Sequence, residues 1–282
     1  MSNLYTIHAF DNMYDQEQIL RDLGYEFRFI NLQLYETGKK KDFLKMMKAV
    51  NPKAKAAHCA RIFLETLHMA DQLDEITAEY YKNCGFAKDR AAYQNAYKHY
   101  INELYSVRSL ADMEAAYRSV KRSFTECEIQ KPAQLLRVGI TGDFYTAMDA
   151  FSNGCIEQKL ADMGVEVHRW MNFTNRMVRY PGEKNLHVKI KDYCRYEMGP
   201  NSSANIWAAK DYAEQGFDGV IHVKAAACTP EIDVMPVLQN ISRDYKMPVL
   251  YLTYDSQSSD VGLNTRLEAF YDMIAMRKKV LK

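Results

Sequence analysis

The sequence contains no Cys-x-x-Cys pair; its six cysteines stand far apart, at 59, 84, 127, 155, 194 and 228. That spacing excludes the zinc-ribbon and ferredoxin-type patterns, in which neighbouring thiolates share one metal centre. In a reducing compartment such cysteines are expected to be free thiols, and a metal bound by them would draw its ligands from distant segments or another chain. An excess of charge of one sign is also lacking. Lys and Arg number 37 against 36 Asp and Glu, a formal net charge of +1. There is thus neither a basic footprint for nucleic acid nor an acidic tail. No apolar run reaches membrane-spanning length, and the opening Met-Ser-Asn-Leu-Tyr-Thr lacks the basic and apolar regions of a signal peptide. A cytoplasmic protein, without membrane or nucleic acid as partner, is the expectation. Internal repeats and low-complexity segments are missing, as are the G-x-G-x-x-G and Walker patterns of nucleotide sites.

What is there changes character near Lys131-Pro132, within a chain of 282 residues that can bury a substantial core. Residues 1–131 read as a mainly helical region with a short α/β start: a helix from Glu17 to Leu23, then a strand over 25–30. Tyr93, Tyr97, Tyr100 and Leu104 repeat at i, i+4, i+7 and i+11, one face of a helix directed at a core. Ile62, Leu64, Leu67, Leu73 and Ile76 indicate another long helix. Residues 132–282 alternate strand and helix. Strands are predicted at Leu135–Ile140, Val165–Trp170, Gly219–Val223 and Pro248–Tyr254, with helices at Phe151–Met163, Ala204–Gln215 and Pro230–Tyr245. A last helix opens at Thr265-Arg266-Leu267-Glu268, which has capping-box spacing. The polar stretch from Asn172 to Pro200 is too long for an ordinary connection. The fold class that follows is α/β: a Rossmann-like, four-strand parallel sheet covered by helices, preceded by a mainly helical region.

In open parallel sheets ligands bind beyond the carboxyl ends of the strands. That edge should collect Thr141-Gly142-Asp143, Cys228-Thr229 and Asp255. The segment GFDGVIHVKAAACTPE, from Gly216 to Glu231, reads as a buried strand delivering a cysteine to the start of a helix. Thr229 is placed as the N-cap, Pro230 as the first helical residue and Glu231 in the acid-favouring first turn. Cys228 would then lie at the positive end of a helix dipole, which favours thiolate, the form a nucleophile or metal ligand needs; the alternative is a small buried residue at a strand end. Gly139 and Gly142 either let the backbone turn at a strand end or present N–H groups to a phosphate or thioester carbonyl. His222, inside an apolar strand, reads as a satisfied core histidine, hydrogen-bonded once and otherwise packed. Asp255 opens a polar loop that is either a simple Asx turn or a cover over a ligand, with Arg266 able to pair with a phosphate or carboxylate.

Gly142-Asp143-x-Tyr145, Asn153, Glu157, GFDGVIHV, CTPE, Pro248-Val249-Leu250 and Thr265-Arg266-Leu267-Glu268-Ala269-Phe270 together resemble the C-terminal half of the 2-hydroxyacyl-CoA dehydratase and benzoyl-CoA reductase superfamily, in its activase-related subgroup. The resemblance is specific from about Leu135 to Met276 and rests on helix order and length before that. It implies a component of an iron–sulfur system of anaerobic metabolism that puts one electron into an acyl-CoA thioester, with an ATP-dependent activator as electron source. Cys228 would be a ligand of a cluster of the 4Fe-4S type. Gly142, Asp143, Tyr145, Thr229, Asp255 and Arg266 would line the adjacent pocket. The cysteine motifs of the family's preceding domain have no counterpart here. The cluster would therefore be completed by a cysteine-bearing partner subunit or domain, or by a homo-oligomer. A non-catalytic accessory paralogue without a cluster, and a small-molecule binding domain, are the other readings.

Overall fold

A computed structural model describes residues 17–27, 48, 50–53, 55–180, 184–196, 198, 201–226, 228–255 and 258–280. The chain forms two compact units, residues 1–68 and 69–282. In the first, helix α1 covers 17–22, and 25–27 have no regular structure; residues 28–30 of the expected strand lie outside the described residues. Helix α2 is Ala56–Asn83, with residues from Met69 on counted in the second unit. Its early apolar residues Ile62 and Leu64 are exposed, whereas Ile76 is buried.

In the second unit α3 (Arg90–Leu104) and α4 (Leu110–Glu126) are each started by a side-chain cap. Asp89 accepts the Ala92 N–H, and Ser109 accepts the Asp112 N–H. The tyrosine stripe of α3 faces inward as its spacing requires, with Tyr93 and Tyr100 buried. Tyr80 stacks on Tyr97 at 4.2 Å between ring centres, and Tyr93 on Phe124 at the same distance.

The rest is a parallel sheet of β1 (Leu136–Gly142), β2 (Val165–Arg169), β3 (Gly219–Ala225) and β4 (Val249–Tyr254), in the order β2-β1-β3-β4. After β1 come α5 (Phe144–Met148) and α6 (Ile156–Asp162). The polar stretch after β2 is locally structured, holding a π-helical turn, Asn175–Arg179, and α7, Lys184–Lys189. Then follow α8 (Ser202–Glu214), α9 (Thr229–Tyr245) after β3, and α10 (Asp260–Val280) after β4.

Strand alternation divides the sheet into two buried faces. Val138, Ile140, Val167, Ile221, Val223 and Leu252 pack with Ile156 and Leu160 of α6 and Leu267, Phe270 and Ile274 of α10. On the opposite face Ile206 and Ala209 of α8 meet Val234, Leu238 and Ile241 of α9, and Val220 packs with Tyr212. Gly139 serves this second face rather than a turn: a Cβ there would stand 2.2 Å from the Tyr212 ring. The Tyr212 hydroxyl accepts from Trp170 N and donates to His168 O, satisfying backbone groups of β2 and the residue after it.

Three expected boundaries move. The helix after β1 begins at Ile156 rather than Phe151, because Gly154 and Cys155 hold left-handed backbone, φ 66° and 57°. Helix α10 begins at Asp260, so Thr265 is an interior residue whose hydroxyl donates to Val261 O instead of capping. The N-cap of α9 is Cys228, with Thr229 and Pro230 its first two residues. A one-residue shift of this kind follows from the sheet, since β3 fixes where the chain can turn into the helix.

Candidate functional site

The strand order reverses between β1 and β3. β2 lies on one side of β1, and β3 and β4 on the other. The loops leaving β1 and β3 therefore diverge to opposite faces and leave a crevice at the carboxyl edge, the usual ligand position in this architecture. Helices that follow parallel strands run back antiparallel to them, so α8 and α9 also direct their N-termini at that edge.

A buried polar chain forms the floor of the crevice. Asn205, on the first turn of α8, accepts the Gly142 N–H through Oδ1 at 2.9 Å and donates Nδ2 to Gly142 O at 3.0 Å. The same Nδ2 donates to both carboxylate oxygens of Glu231, each at 2.9 Å. Glu231 Oε2 stands 3.3 Å from His222 Nε2, without hydrogen-bond alignment, and His222 Nδ1 is 3.1 Å from Thr141 Oγ1. Thr141, Asn205, His222 and Glu231 are each at most 1% exposed. Burial, partly offset by the Glu231 main chain and reinforced by the charge of Lys224, pulls His222 down to about 4. The imidazole is therefore neutral at pH 7. The expected core histidine is present, in a network with a carboxylate and an amide that the sequence did not disclose.

Gly142 has φ 141°, and a Cβ on it would lie 1.9 Å from Val223 O. Its role is to let the β1 loop pass against β3. Asp143 caps α5: its Oδ2 accepts from Thr146 N and Thr146 Oγ1. Tyr145, on α5, is 68% exposed. Cys228 is half-buried and Thr229 exposed at the start of α9. The sheet thus brings Gly142, Asp143, Cys228 and Thr229 to one place.

Asp255 stands at the same carboxyl edge one strand further on, and Arg266 lies on α10 beside β4. Asp255, after the edge strand β4, accepts from the Ser258 hydroxyl in a local turn. Arg266 donates to Tyr251 O on the same strand. Asn153 donates to Thr146 O and accepts the Ile156 N–H, shaping the turn into α6. Glu157 is ion-paired with Arg169 at 3.0 Å. A cleft of 340 Å³ borders Asp74, His168, Arg169, Trp170 and Asp211 and is lined by none of the sequence-predicted residues.

The local environment reverses the expectation for the Cys228 thiol. Burial raises it most; the Glu231 N–H pulls the other way; the Glu231 and Asp143 carboxylates raise it further, and Lys224 opposes them. The balance lies up at about 11. A helix N-terminus is a local attraction for negative charge, and here desolvation with two nearby carboxylates outweighs it.

Sequence reasoning missed Asn205 and Lys224. Nothing local distinguishes Asn205 from other polar residues early in a helix. Lys224 did carry a signal, a single cation at the end of an otherwise apolar strand. It is 6% exposed and, among the described residues, donates only to Ala226 O, at 3.4 Å.

All six cysteines are free. Among the described residues no group of three or more His, Cys, Asp or Glu side chains is placed to hold a metal ion, and no helix is long and apolar enough to cross a membrane. No family model matches the chain, and no match was found among curated proteins.

Proposed function

We propose that the chain is a component of an iron–sulfur-dependent 2-hydroxyacyl-CoA dehydratase or acyl-CoA reductase-like system. In this reading the switch-point crevice forms part of the acyl-CoA pocket, and Cys228 is one ligand of a cluster of the 4Fe-4S type completed by a cysteine-bearing partner. An ATP-dependent activator would supply the electrons. The observation that carries it is the position of Cys228: a half-buried thiol where β3 turns into α9, beside the Gly142-Asp143 loop.

The described residues do not fit a cluster held by this chain alone. A four-iron cluster needs about three or four converging thiolates, and no such group exists among them. Anaerobic reconstitution of the chain and of Cys228→Ala, each with and without a candidate cysteine-bearing partner, tests the proposal. Iron and acid-labile sulfide should assemble only when both Cys228 and the partner are present. Assembly on the isolated chain that survives Cys228→Ala overturns the ligand assignment.

A second reading, an accessory paralogue that keeps the crevice without a cluster, is favoured by the carboxylates that disfavour the Cys228 thiolate. Complex formation with the partner and no iron uptake under the same conditions would select it.

A further inference from the structure

Lys224 is a cation buried without a matching anion. The residue is 6% exposed, and among the described residues its ammonium makes one long bond, to Ala226 O, and no ion pair. Burying a charge is costly unless it is paired, so a lysine in this state calls for a partner. Strand alternation puts Lys224 on the same face as His222, one step nearer the carboxyl edge, where α8 and α9 begin.

Two further features meet it there. Among the described residues α8 has no side-chain cap: Asn201, before it, turns its Oδ1 to the Arg176 guanidinium. The first-turn amides of α8 therefore keep donor character toward the crevice. Ser202, the first residue of α8, is 1% exposed, and its hydroxyl has no hydrogen-bond partner among the described residues. It lies one helical turn before Asn205 and Ile206 and on their face, the face that meets Glu231 and α9. Ser202 is thereby directed at the crevice above the Asn205–Glu231 floor.

We propose that Lys224, the Ser202 hydroxyl and the N-terminus of α8 form a site for one oxyanion group, a carboxylate or phosphate, of a small ligand. Charge, hydroxyl and amides supply donors only, and the Asn205 amide holds the Glu231 carboxylate below them. The site is independent of any cluster, because none of its groups is a thiol.

The test uses the full chain without metal. Inorganic phosphate and acetate are titrated separately against sodium chloride at matched ionic strength, by calorimetry and by thermal unfolding. Saturable binding of either anion to the wild type is expected, and the tighter one identifies the class. Lys224→Met should weaken it by about tenfold or more, the scale of one charge-assisted contact. Ser202→Ala should weaken it by about threefold; since it removes one oxygen from a buried position, it keeps the experiment decisive if Lys224→Met does not fold. Phosphate also stabilises proteins by exclusion from their surface. Equal, non-saturating stabilisation of wild type and Ser202→Ala would overturn the proposal. So would Lys224→Met that loses stability equally with and without the anions, which would make the role of Lys224 purely structural.

Discussion

Cys228 and Cys155 are both N-cap residues of helices that begin at the carboxyl edge, yet their surroundings differ. Cys155 is exposed, in left-handed backbone. Cys228 is half-buried with Asp143 and Glu231 close enough to disfavour its thiolate, and its thiol lies up at about 11. Alkylation by iodoacetamide should therefore be slower at Cys228 than at Cys155 at pH 7.5. The Cys228 rate should still be climbing at pH 10, because only the thiolate reacts. Mass-spectrometric rate profiles for each cysteine would measure this; a Cys228 rate already level by pH 8 would show that the helix N-terminus dominates after all.

At the scale of elements, the decisive segment is the β1–α5 junction. Gly142 N–H and C=O are both held by Asn205, Asp143 N–H donates to Val223 O, and the Asp143 side chain starts α5. This joins β1, β3 and α8 through one peptide. Gly142→Ala would add a Cβ against Val223 O in a backbone region that side chains rarely adopt. A loss of about 2 kcal/mol or more is expected, together with weaker anion binding in the crevice because the Asn205 clamp must shift. Chemical denaturation checks the first and calorimetry the second. An alanine variant as stable as wild type would mean that β1 and β3 separate easily at their carboxyl ends.

For the whole molecule, the buried ionisable groups set the response to acid. His222 has a folded value of about 4 against an ordinary 6.5. Below pH 6.5 the unfolded chain binds a proton that the folded chain refuses, so stability is full above that pH and falls as pH drops toward 4. The window corresponds to roughly 3 kcal/mol, at about 1.4 kcal/mol per pH unit. Glu166 adds a second, lower window. Burial raises it, but hydrogen bonds from His168 and Lys131 prevail and bring it down to about 2 from an ordinary 4.5. Its contribution is present above pH 4.5 and lost as pH falls toward 2. Urea unfolding of wild type and His222→Gln between pH 7 and pH 4 isolates the first effect: the variant should lose markedly less stability across that range. Parallel curves would remove His222 as the cause.

The sequence by itself determined the four strands, the helices between them, their parallel sense and the inward tyrosine stripe of α3. These follow from periods of two and about three and a half residues and from short connections, all of which are local. It also placed Gly142, Asp143, Cys228 and Thr229 at strand ends, and so at a shared edge. Only the tertiary structure decided which strands are neighbours, and hence that the crevice opens between β1 and β3 and that Asp255 stands one strand further along the same edge, after β4. Only it joined Asn205, Glu231, His222 and Thr141, which are far apart in the chain, and left Lys224 buried beside them. The state of Cys228 shows the physical reason: a helix terminus can be read from a few residues, whereas desolvation and opposing carboxylates depend on what other segments bring to the same place.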